Sequence, residues 1–83
     1  MPELTNVTDR EPRHALRGKP IAELWVLYDQ LATLQAIYIN YAIQYPRNPT
    51  LSLNAQWFSD YLEDVRAELT RRQLAGEPYE RLT

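Results

Sequence analysis

Between Ile21 and Tyr45 apolar residues recur at alternating spacings of three and four: Leu24, Leu27, Leu31, Leu34, Tyr38, Tyr41 and Tyr45. In a helix of 3.6 residues per turn such positions form one seam, the pattern of a helix packed along its length against another. A second apolar row, Ile21, Trp25, Tyr28, Ala32, Ile39 and Ile43, lies beside the first. Together the two rows cover roughly 200° of the circumference, about twice the stripe of a helix packed on one side. Even the remaining arc holds Val26 and Ile37, and its only charges are Glu23 and Asp29. Gln35 falls in the middle of the apolar arc, where a polar residue can fix the register of a helix pair.

A second helical pattern is simpler. Trp57, Phe58, Tyr61, Leu62, Val65 and Leu69 gather on one stripe, with Asp60, Glu63, Arg66, Glu68, Thr70 and Arg71 around the rest. This predicts one buried face and one wet face.

Punctuation sets the bounds. Pro20 suits the first helical position, where its missing N–H would be unpaired anyway, and Pro46 with Asn48-Pro49 makes "YPRNPT" a connection. The first long helix is expected over 20–45. The second is expected over 52–75, capped by Thr50, Ser52 or Asn54 and stopped by Gly76 and Pro78. Residues 1–19 read as a polar arm, mobile or carrying a short helical turn capped by Thr8 or Asp9 and running toward Leu16. Residues 77–83 read as a tail. The fold class predicted is an all-α antiparallel two-helix hairpin. One amphipathic partner leaves much of the first helix bare, and a second copy, the arm or a different protein would cover it. A two-fold dimer forming a four-helix bundle is the expected solution, with Leu24, Leu27, Leu31, Leu34 and Gln35 as the core and dimer seam.

Composition narrows the function. At 83 residues the chain is one domain near the lower limit for a self-sufficient core. A net charge of −2 argues against nonspecific nucleic-acid binding, and the absence of cysteine excludes disulfides and thiolate metal sites. Asp9 and Glu11 interrupt the N-terminal segment, and Glu23, Asp29 and several amides interrupt the first long helix. Neither a signal peptide nor a membrane span is expected, and the chain reads as soluble and cytoplasmic.

No catalytic constellation emerges. The single histidine, His14, sits between Arg13 and Arg17, which oppose a cation, so no metal or other cofactor is expected. Asp60, Glu63, Asp64 and Glu68 share a helix with Arg66, Arg71 and Arg72 and read as an ion-paired, solvated face. Gly18 and Gly76 stand alone, so there is no phosphate loop.

Tyrosine is the informative residue. Tyr28, Tyr38, Tyr41 and Tyr45 all lie on the first long helix. Tyrosine and tryptophan pair apolar area with a polar tip and are enriched where proteins meet. Tyr38, Tyr41, Tyr45, Arg47 and Trp57, gathered near the connection, form the expected partner-binding site. The function expected is a non-enzymatic protein-binding module: a regulator, adaptor, assembly factor or inhibitor that homodimerises and engages a larger protein. The alternative is a nucleic-acid-associated factor using the basic arm, Arg10, Arg13, Arg17 and Lys19, with the bundle as its dimerisation unit.

Overall fold

The computed structural model describes residues 10–81. Over that range it is all-helical: α1 (Arg13–Leu16), α2 (Ile21–Gln44) and α3 (Pro49–Ala75). The two long helices pack against each other as a hairpin, in a molecule measuring 45 × 23 × 18 Å.

The ends of these helices follow local chemistry. Pro20 stands one position before α2, and its carbonyl accepts from Glu23 and Leu24. α3 starts earlier than the sequence pattern indicates. Asn48, not Thr50, Ser52 or Asn54, is the cap: its side-chain oxygen accepts from the Thr50 N–H, and Pro49 fills the first turn. At the other end Gly76 has φ 75°, a left-handed conformation that costs glycine little. Thr8 and Asp9, the expected caps of the arm's helical turn, lie outside the described residues. Pro12 precedes that turn.

The core runs along the seam. Leu24, Leu31 and Leu34 of α2 meet Phe58, Tyr61, Leu62, Val65 and Leu69 of α3. The expected division of labour between the helices is reversed. α2 buries three residues, whereas α3 buries nine, including Asp64, Glu68 and Arg72. The reason is the N-terminal segment. Residues 10–19 are not a free arm: Leu16 is fully buried in the core, and the segment packs across α3. The arm thus covers the second long helix rather than the apolar surplus of the first.

Candidate functional site

Charge divides the hairpin in two. Between Gln30 and Ser59 the chain carries one charged side chain, Arg47; every other Asp, Glu, Lys and Arg lies outside that stretch. The uncharged stretch is the half of the hairpin around the connection. The charged half holds both chain ends.

In the charged half the ion pairs are internal. Arg10 donates through Nε and Nη2 to Asp64 Oδ2 at 3.0 and 2.7 Å, and Arg13 Nε donates to Oδ1 at 2.8 Å. Burial pushes the Asp64 carboxyl up, but the two guanidinium groups outweigh it and hold it below its ordinary value. Hydrogen bonds from Arg71, then Arg72, hold the Glu68 carboxyl at about 2 against the opposing effect of burial. Arg72 also donates to the carbonyls of Leu16, Arg17 and Lys19 at 3.2, 3.3 and 2.6 Å, tying the arm to α3 through its backbone. Lys19 pairs with Glu11 at 3.0 Å. The expected solvated face is therefore half wrong. Asp60 and Glu63 are exposed, but Asp64 and Glu68 are buried because fixed arginines neutralise them. Three of the four arm cations are engaged within the fold, so phosphate would have to displace existing pairs to reach them.

The tail is held on the other long helix. Trp25 Nε1 donates to the Tyr79 carbonyl at 2.9 Å. Arg81 lies 4.4 Å from the centre of the Trp25 ring and makes a two-pronged pair with Asp29. Arg66 approaches the Tyr28 ring, which meets Trp25 edge-on. Sequence spacing could not reveal this cluster, because Trp25 and Tyr79 are brought together only by the hairpin.

The uncharged half is left bare. Its aromatic rings form a ladder across the two helices: Tyr41 meets Tyr38 edge-on at 6.2 Å, Tyr38 lies 5.3 Å from Phe58, and Trp57 is edge-on to both Phe58 and Tyr61. Tyr38 and Trp57 are half-buried against the core, and Trp57 reaches the tyrosines through Phe58. Tyr41 and Tyr45 are exposed. Tyr45 and Arg47 line a separate recess at the connection with Pro46, Asn48 and Leu51. The five expected partner-binding residues thus fall into a core-backed pair, a rim tyrosine and a recess at the turn.

The seam residues lie elsewhere. Leu24, Leu31 and Leu34 are buried and Leu27 is half-buried. Gln35 Nε2 donates to Ser59 Oγ at 2.8 Å, a bond between the two helices of one chain. On a further flank Ile39, Ala42 and Ile43 of α2 and Ser52, Ala55, Gln56 and Ser59 of α3 line a groove. The signal for it in the sequence was the charge-free run continuing past the connection to Ser59.

Among the described residues no three His, Asp or Glu side chains converge as metal ligands would, and no helix is long and apolar enough to cross a membrane. Comparison with protein-family models, with curated proteins and with solved structures finds no match to this chain.

Proposed function

We propose that the chain is a non-enzymatic protein-binding module, of the regulator, adaptor, assembly-factor or inhibitor kind, whose uncharged half docks on a larger protein. One observation carries this reading: from Gln30 to Ser59 a single charge, Arg47, accompanies exposed Ile39, Tyr41, Ile43, Tyr45 and Leu53. Depletion of charge with retained aromatics and an arginine is the composition of an interface core, and hot spots draw on the same residue types. Ordinary solvated surface needs no such segregation. In this reading Tyr41, Tyr45 and Arg47 make the contact, Tyr38 and Trp57 back it from the core, and the charged half keeps the chain folded. The apolar surplus of α2 serves self-association, giving a four-helix bundle.

The test is capture of the partner from the native host by the tagged full chain, compared with Tyr41→Ala and Tyr45→Ala variants. Both side chains are exposed, so helicity and melting temperature should hold while capture is lost. Each truncation should cost about 2 kcal/mol of binding if the residue is a hot spot. Loss of fold together with capture would return these rings to the core and end the proposal.

A further inference from the structure

We infer that the groove between Ile39, Ala42 and Ile43 on α2 and Ser52, Ala55 and Ser59 on α3 is the seat of a second copy of this chain. The inference rests on the reading that the uncharged half is an interface, and it assigns that half two separate faces. Ser59 and Trp57 are two residues apart and so stand about 200° apart around α3. The aromatic ladder therefore lies on one flank and the groove on another.

Shape argues for a self-complementary contact. A two-fold interface places one patch against itself, so the same surface must offer both the protrusion and the recess. Here Ile43, 72% exposed, and Ile39, 42% exposed, border a recess of about 350 Å³ walled by alanine and serine. Small residues let a neighbouring helix approach closely. The recess exceeds the roughly 30 Å³ share of one water about tenfold, so it has room for an isoleucine. Rotation about a two-fold axis would carry Ile43 of one copy toward the recess of the other.

Charge argues the same way. No charged residue lines the groove, so pressing it against its own copy brings no like charges together and strands none away from water. Gln56 and the serines supply neutral donors and acceptors that can pair across the axis. Overlap through the uncharged halves alone also leaves the charged halves, with their paired carboxylates and arginines, at the outer ends of the assembly.

The experiment is sedimentation equilibrium of the full chain across micromolar concentrations, with Ile43→Arg and Ser52→Trp as variants. Both positions are exposed, so the hairpin should keep its helicity by circular dichroism. Ile43→Arg sets two charges face to face, and Ser52→Trp blocks the recess. The wild type should sediment at twice the 9.8 kDa chain mass, and each variant should weaken the dimer about tenfold or more. A wild-type monomer up to millimolar concentration overturns the inference, as does a dimer that neither variant weakens. A monomer that loses another captured protein on Ile43→Arg overturns it too, by giving the groove to a different occupant. Tyr41→Ala and Tyr45→Ala should keep the dimer mass whatever their effect on capture, so failure of the groove and failure of the aromatic site are read separately.

Discussion

Glu68 and Asp64 show how a carboxylate enters a small core. Each is about 5% exposed, and each is met by two guanidinium groups at hydrogen-bond distance. Both carboxyl groups titrate lower in the fold than in an unfolded chain, where Glu68 would return to about 4.5. A group with a depressed folded pKa binds more protons when unfolded, so its stabilising contribution is complete above the unfolded value and fades as pH falls toward the folded one. Melting temperature should therefore hold near neutral pH and drop as pH falls from 4.5 toward 2. Glu68→Gln should be less stable at neutral pH and should flatten that acid limb; an unchanged limb would mean the pairs do not form in solution. The apolar counterpart is simpler. Leu31 is fully buried and Leu34 nearly so, and replacing either with alanine should cost about 2–5 kcal/mol by urea denaturation, through lost transfer energy and the cavity left behind.

At the scale of the element, what could be read from the sequence was what local chemistry determines. Spacings of three and four, two prolines around a connection and a glycine at the far end specify two long helices and the turn between them without reference to the rest of the chain. The start of α3 was misplaced because Asn48 before Pro49 looked like part of the break, when that pair is a cap followed by a first-turn proline. Asn48→Ala should therefore lower stability by about 1 kcal/mol, measured by thermal or urea unfolding, whereas Ser52→Ala, at an exposed position inside the helix, should change little. The breadth of burial on α3 could not be read. Hydrophobic periodicity treats Asp64, Glu68 and Arg72 as solvent-facing, and what buries them is a segment more than fifty residues earlier that meets them through charge. A lone apolar residue in the arm, Leu16, opposite carboxylates at 64 and 68 was the available trace. Of the candidate site, the residues were found but not their grouping, because whether Tyr38 lies on Phe58 or faces water depends on the relative rotation of the two helices.

At the scale of the whole molecule, the two chain ends cover one half of the hairpin and leave the other free. The arm lies on α3 through Leu16, Arg10 and Arg13, and the tail lies on α2 through Tyr79 and Arg81. A hairpin of this size has little core to spare, so a segment that adds one fully buried leucine and neutralises a buried carboxylate belongs to the fold rather than decorating it. Leu16→Ala should then cost about 2–5 kcal/mol, as for a core leucine. Leu74→Ala is the control: Leu74 is 84% exposed near the end of α3, and its loss should stay within about 0.5 kcal/mol. If the two variants unfold at the same urea concentration as the wild type, the arm is not docked in solution and α3 must find another cover. If Leu16→Ala alone is destabilised, the arm is part of the domain. The uncharged half, which neither chain end covers, then remains the surface through which the protein meets its partners.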